Sequence, residues 1–232
     1  MNEKPVVNQI PVTIDGQPLN VPEGTTILEA ARANGITIPT LCYHEKLTPI
    51  GVCRLCVVEV QGARTLVASC HTPVGKGMVI TTNSPKVVEN RKAIVELMLS
   101  SHPDACLICD KANACELRRI AADMGIGLPR FRTPRHYYPI EDVSPYIVRD
   151  MSKCVLCRRC VVGCNEIAKQ KVLGIAYRGF ESKMVFGNDE AINTEACKNC
   201  DVCIDLCPTG SLMKAVKPGE HRKRAKAMVL QG

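Results

Sequence analysis

Apolar and polar positions alternate in short runs over the first eighty residues. Val6 to Val21 reads as a hairpin: Val12-Thr13-Ile14, a turn at Asp15-Gly16, then Leu19-Asn20-Val21. Thr26 followed three residues on by Glu29 is a capping box, which opens a helix through Ala33 that stops at Asn34-Gly35. Two more strands are predicted, Leu55 to Val60 and Thr65 to Ala68, turning at Gln61-Gly62, with a last one over Met78 to Thr81. The period then changes. Ser84-Pro85 starts a helix carrying Val87, Val88, Ile94, Val95 and Met98 and ending near Ser100. A second helix runs from Cys115 to Met124, with Leu117, Ile120, Ala121 and Met124 on one face and Gly125 at its end. Residues 129–145 hold four prolines and read as an extended linker. Ser152 to Leu212 forms a separate cysteine-rich unit, and the tail beyond Pro218 is basic.

Composition changes this picture in one respect. Only 3% of the 232 residues are aromatic and none is Trp, so the usual core volume is missing. Small modules organised around metal, whose folding depends on it, are expected instead. Cysteine makes up about 6% of the chain, below the density of a short secreted disulfide scaffold. The cysteines fall in C-x2-C groups, which suit chelation better than disulfides between distant strands. Met1 to Gln9 shows no secretory signal, and no stretch approaches the roughly 20 apolar residues of a membrane span. A reducing cytoplasm is the expected location. The formal charge of +7 is a weak argument for nucleic acid, because bound thiolates would offset it.

The donors sort into four sets of four. The first is Cys42, Cys53, Cys56 and Cys70, in loops and strand ends of the predicted two hairpins and helix, a β-grasp-like module. Its C-x2-C pair and remote partner are shared with plant-type [2Fe–2S] ferredoxins, although the first spacing is longer; a structural zinc site also accepts such pairs. Gly51 lets the backbone wrap closely ahead of Cys53, while His44 and His71 read as surface residues. The second set, His102, Cys106, Cys109 and Cys115, lies between the two helices. Imidazole in place of a thiolate lowers the negative charge around a cluster and should alter its potential. The alternative for His102 is a helix-end residue, which would leave three ligands and an open site.

The remaining eight cysteines repeat. Cys154-x2-Cys157-x2-Cys160-x3-Cys164 recurs as Cys197-x2-Cys200-x2-Cys203-x3-Cys207, displaced by 43 residues as from Cys154 to Cys197. This string resembles the two-cluster bacterial ferredoxin, and the second copy ends in the expected Cys207-Pro208, whereas Asn165 stands where the first copy would carry Pro. In that family the fourth cysteine of each run ligates the other cluster. The resemblance thus assigns Cys154, Cys157, Cys160 and Cys207 to one [4Fe–4S] centre and Cys164, Cys197, Cys200 and Cys203 to another. A hairpin is expected between the runs, from Lys171 to Ile175 and Ser182 to Phe186, either covering the clusters or meeting a partner.

The whole order over residues 10 to 215 resembles the N-terminal part of the large iron–sulfur subunit of respiratory NADH dehydrogenase. It is equally similar to the iron–sulfur diaphorase subunit of NAD-linked soluble hydrogenases, and to the front of iron-only hydrogenases and NAD-dependent formate dehydrogenases. The fold class expected is α+β, in five parts: a β-grasp [2Fe–2S] domain (1–83), a helical [4Fe–4S] domain with one histidine and three cysteines (84–128), a linker (129–145), a two-[4Fe–4S] ferredoxin domain (146–217) and a basic tail (218–232). The resemblance implies one [2Fe–2S] and three [4Fe–4S] clusters. It also implies a hetero-oligomer with a flavin- and NAD(P)H-binding subunit and a further catalytic redox subunit. That subunit would be a hydrogenase, a formate dehydrogenase or similar, with electron bifurcation among the options. By length the chain looks most like a stand-alone diaphorase subunit, without a fused catalytic domain.

The residues agree with a non-catalytic role. There is no G-x-G-x-x-G or G-x-x-x-x-G-K-[ST], Gly125-Ile126-Gly127 lacking the third glycine, and no H-E-x-x-H or serine-nucleophile elbow. No catalytic residue is expected, and flavin, nicotinamide and substrate fall to partners. The competing readings are a free multi-cluster ferredoxin shuttle and a zinc-dependent nucleic-acid-binding protein. The tail, with His221, Arg222, Lys223, Arg224 and Lys226, reads as a solvated segment or a dock for an acidic partner.

Overall fold

A computed structural model describes residues 8–135, 138–142, 144–190 and 195–215. The basic tail lies outside the described residues. Backbone contacts divide the chain into two compact units. The first comprises the chain up to Tyr43 and Pro49–Val95; the second comprises His44–Thr48 and the chain from Glu96 onward. The division falls between Val95 and Glu96. The segment carrying His102 shares a unit with the ferredoxin-like segment.

The first unit is a five-stranded mixed sheet with one helix. Strands β1 (Gln9–Ile14) and β2 (Gln17–Pro22) pair antiparallel, and Asp15 and Gly16 between them both take positive φ, 50° and 79°. A two-residue hairpin turn of the primed type needs that conformation at both positions, which glycine adopts without strain. Helix α1 (Ile27–Ala33) starts at the predicted box: Thr26 Oγ1 accepts from Glu29 N, and Glu29 Oε2 accepts from Thr26 N at 2.9 Å. Strands β3 (Val57–Val60), β4 (Val67–Ala68) and β5 (Met78–Thr81) complete the sheet in the order β2-β1-β5-β3-β4, β1 and β5 running parallel. The expected strand over 65–68 shrinks to two residues, because only Val67 and Ala68 pair with β3. Val12, Ile14, Ile27, Leu28, Val58 and Ile80 fill the core, and Cys56 and Cys70 belong to it.

Helix α2 (Pro85–Ser101) begins where Ser84 Oγ accepts from Val87 N at 3.3 Å. Helix α3 (Glu116–Asp123) is capped by Cys115, whose Sγ accepts from Arg118 N at 3.5 Å. Within the proline-rich segment, Arg130 Nη2 lies 2.6 Å from Glu96 Oε2, and β6 (Glu141–Asp142) pairs with β7 (Ile147–Arg149). After α4 (Arg159–Glu166), strands β8 (Leu173–Ala176) and β9 (Lys183–Phe186) form the expected hairpin, with Leu173 opposite Phe186. Helix α5 (Val202–Asp205) and β10 (Leu212–Lys214) follow, and β10 adds to β7.

The sequence repeat is also a backbone repeat. The residues that precede α4 and α5, Arg158 and Asp201, hold the same left-handed conformation at φ 63° and 49°. A Cβ on Gly163 of α4 would collide with Leu206 Cδ1 and stand 3.2 Å from Val202 Cγ1 of α5. Gly163 and Leu206 are equivalent positions of the two copies, one reduced to a hydrogen so that the other can fill the gap. Gly163→Ala is therefore expected to destabilise the holoprotein by about 1–3 kcal/mol through overpacking, measured by chemical denaturation against the wild type.

Candidate metal centres

In the first unit the sheet and its loops bring Cys42, Cys53, Cys56 and Cys70 together. Cys42 acts on Cys53 and Cys56 on Cys70: the pairing drives the Cys42 and Cys70 thiols up and the Cys53 and Cys56 thiols down. Four thiols this close cannot all ionise without a cation among them. Gly51, φ 64°, gives the chain its close turn ahead of Cys53. His71 is exposed, and His44 accepts a bond from Lys46 N at 3.3 Å; neither joins the set.

In the second unit His102, Cys106, Cys109 and Cys115 line one recess. His102 follows directly on α2 and is 8% exposed. Its Nδ1 lies 3.2 Å from Pro103 O, and in the tautomer that donates there Nε2 keeps its lone pair. Nε2 is buried with no hydrogen-bond partner among the described residues. Burial, the largest influence, holds the ring below the usual histidine pKa and so favours the neutral form that binds metals. Cys115 is raised by burial and then by Cys109 and Cys106. Cys106 is exposed, and Leu107 beside it is 99% exposed.

A second recess is lined by Cys154, Cys157, Cys160 and Cys207, the crossed set expected from the ferredoxin resemblance. Burial pushes Cys154 up to about 11 and Cys157 up to about 12. Ile175 and Met184 of the β8–β9 hairpin form part of the wall, so the hairpin covers this site. Arg149, 2% exposed, ties it down through Met184 O at 3.0 Å and Asp189 Oδ1 at 3.1 Å. The last set also assembles: burial, then Cys200, Cys164 and Cys197, push Cys203 up to about 12.

The donor sets fit the groups that their spacing implies. A polar atom buried without a partner is costly, and His102 Nε2 is aimed into a recess with three thiols. Among the described residues no group of three or more His, Cys, Asp or Glu side chains converges on the point a single metal ion would occupy. The His102 and Cys154 sets line recesses instead.

The two recesses share a wall that the sequence did not reveal. Thr209 borders both, and its Oγ1 donates to Lys153 O at 2.6 Å. Glu116 N, next to Cys115, donates to Pro208 O, next to Cys207, at 2.9 Å. The Glu116 carboxylate takes both Arg159 nitrogens, at 2.6 and 2.9 Å, and Arg159 is 3% exposed. No local pattern marks these residues, since their partners stand tens of positions away. Glu116→Ala takes the carboxylate away from the buried Arg159 guanidinium and should cost about 3 kcal/mol, read from urea denaturation.

Known proteins place this arrangement in a class. Residues 7–85 match the 2Fe-2S iron-sulfur cluster binding domain, residues 91–130 the NADH-ubiquinone oxidoreductase-G iron-sulfur binding region, and residues 144–213 the ferredoxin-like domain of NADH-quinone oxidoreductase subunit 3. Segment by segment, the chain is similar to these iron–sulfur families. It is 41% identical over 214 residues to the NADP-reducing hydrogenase subunit HndD of Solidesulfovibrio fructosivorans, a match covering 90% of this chain and 36% of that protein. It is 36% identical over 215 residues to the NADPH-Fe(3+) oxidoreductase subunit alpha of Geobacter sulfurreducens, covering 93% and 25%. The chain thus spans about a quarter to a third of the length of these relatives. A chain of the NAD+-reducing [NiFe]-hydrogenase in its H2-reduced state superposes with a TM-score of 0.79 at 27% identity, covering 91% of this chain and 89% of that one. No helix among the described residues is long and apolar enough to cross a membrane.

Proposed function

We propose that this protein is the electron-transfer iron–sulfur subunit of an NAD(P)H-linked oxidoreductase complex in the cytoplasm. It would relay electrons between a flavin- and NAD(P)H-binding subunit and a further catalytic redox subunit, a hydrogenase, a formate dehydrogenase or similar. Cys42, Cys53, Cys56 and Cys70 would hold a [2Fe–2S] cluster. His102, Cys106, Cys109 and Cys115 would hold one [4Fe–4S] cluster. Cys154, Cys157, Cys160 and Cys207 would hold a second, and Cys164, Cys197, Cys200 and Cys203 a third. Bound there, such clusters supply one-electron uptake and release. The observation that supports the reading is that His102, Cys106, Cys109 and Cys115 line one recess and Cys154, Cys157, Cys160 and Cys207 another, with His102 Nε2 left free to bind.

The chain's own residues contribute position and shielding. The Glu116–Pro208 hydrogen bond fixes Cys115 relative to Cys207, so the walls of two sites move as one. Ile175 and Met184 keep water from the Cys154 set. The exposed Cys106 puts the His102 set within reach of a partner's redox centre. The oxidoreductase relatives and the [NiFe]-hydrogenase chain support the assignment to such a complex.

Anaerobically purified protein should contain about fourteen irons and fourteen acid-labile sulfides per chain, with electron paramagnetic resonance signals of both cluster types after reduction. A pale protein loaded with zinc and free of sulfide would defeat the proposal. So would isolation from its native host without any flavoprotein, which would mark a free shuttle. His102→Ala should remove about four irons per chain and leave the remaining signals in place, measured by iron analysis and spectroscopy.

A further inference from the structure

Arg91 of α2 is 3% exposed, although guanidinium groups seldom enter a protein interior unpaired. Its Nη2 donates to Val57 O at 2.7 Å and its Nη1 reaches Asn83 Oδ1 at 3.4 Å. Its Nε has no partner among the described residues. Val57 follows Cys56 directly. The charges that act on Arg91 are those of Cys56 and Asp15, and the Asp15 oxygens are already taken by Thr82 N at 2.7 Å and Thr82 Oγ1 at 2.6 Å. Burial lowers the guanidinium pKa, but from so high a starting value that the group stays protonated.

A second buried donor stands beside the same cysteine. Ser69 is wholly buried and its hydroxyl has no hydrogen-bond partner among the described residues. Ser69 N donates to Cys56 O at 3.2 Å, which fixes the segment in place. The other two deeply buried arginines differ in this respect. Arg149 is paired with Asp189, and Arg159 with Glu116. A buried cation without a carboxylate needs a counter-charge from another source.

We propose that Arg91 is the built-in counter-charge of the Cys42, Cys53, Cys56 and Cys70 site and, with the Ser69 hydroxyl, raises the reduction potential of the cluster held there. The inference rests on the function proposed above and deepens it. One electron enters the iron, no bond of Arg91 or Ser69 breaks and no proton moves, so reduction adds one negative charge to the site. A fixed cation and a hydrogen bond to sulfur both favour the more negative state. Arg91 is a positioning residue here, acting through charge and through its hold on the Val57 carbonyl.

The test is a redox titration of the holoprotein with dithionite, monitored by the [2Fe–2S] resonance, in wild type, Arg91→Gln, Arg91→Lys and Ser69→Ala. Arg91→Gln should shift the reduction equilibrium about tenfold toward the oxidised form, about 59 mV more negative for one electron. Arg91→Lys should keep the wild-type potential to within a small fraction of that shift. Ser69→Ala should move it in the same direction by less. An Arg91→Gln cluster that titrates at the wild-type potential overturns the inference. Where Arg91→Gln holds no [2Fe–2S] cluster, Arg91→Lys decides: a loaded cluster at the wild-type potential supports a charge requirement, and the same loss refutes it. A wild-type protein without any [2Fe–2S] resonance defeats the functional reading itself, an outcome separate from these.

Discussion

Sulfur donors occupy the places where side-chain bulk would otherwise close the interior. Cys42, Cys56 and Cys70 are at most 2% exposed, and four of the ten buried residues in the second unit's core cluster are cysteines. With so few aromatic residues, those thiols hold a large share of the contacts between the loops that carry them. Buried thiols in groups of four are poor packing unless something neutralises and joins them, because at most some can ionise and the rest repel. With clusters bound at these sets, folding and metal loading would be one process, as in other small metal-organised domains.

The same constraint explains the polar atoms left over inside. Buried donors and acceptors are normally satisfied, so each exception calls for a reason. Ser69 Oγ and Arg91 Nε stand at the first thiol set, and His102 Nε2 at the second. These atoms complete the surroundings of a bound group rather than the protein's own hydrogen-bond network. Arg149 and Arg159 have carboxylate partners, Asp189 and Glu116, although Arg159 Nε is a further buried atom without a hydrogen bond among the described residues.

Legibility in the sequence followed locality. Asp15-Gly16, the Thr26–Glu29 box and the Leu117–Ile120–Ala121 face all act within a few residues, and each element forms where it was expected. The donor sets were legible because a rigid spacing is itself the chemistry of chelation. What escaped were features whose partners lie far away in sequence. The segment 129–145 looked like a linker because prolines dominate it locally, yet Arg130 reaches Glu96 and a two-residue strand finds β7. Arg91 could not be told from any other helix arginine, since only burial next to Cys56 distinguishes it.

The ferredoxin-like repeat shows how two nearly identical ligand strings acquire different surroundings. Gly163 and Leu206 occupy equivalent positions, and the smaller admits the larger. Asn165 and Pro208 are equivalent as well, and the carbonyl of Pro208 is the one that accepts the Glu116 N–H. The second copy's end therefore faces the His102 set, through Cys207 and Thr209. Cys160 in turn feels Cys203 of the fourth set. The Cys154 set consequently stands between the other two sets of its unit. Adding an electron to a middle site makes reduction of either neighbour harder, so the three would titrate as a coupled system rather than as independent centres. With the neutral His102 in place of one thiolate, that repulsion would be eased at one end.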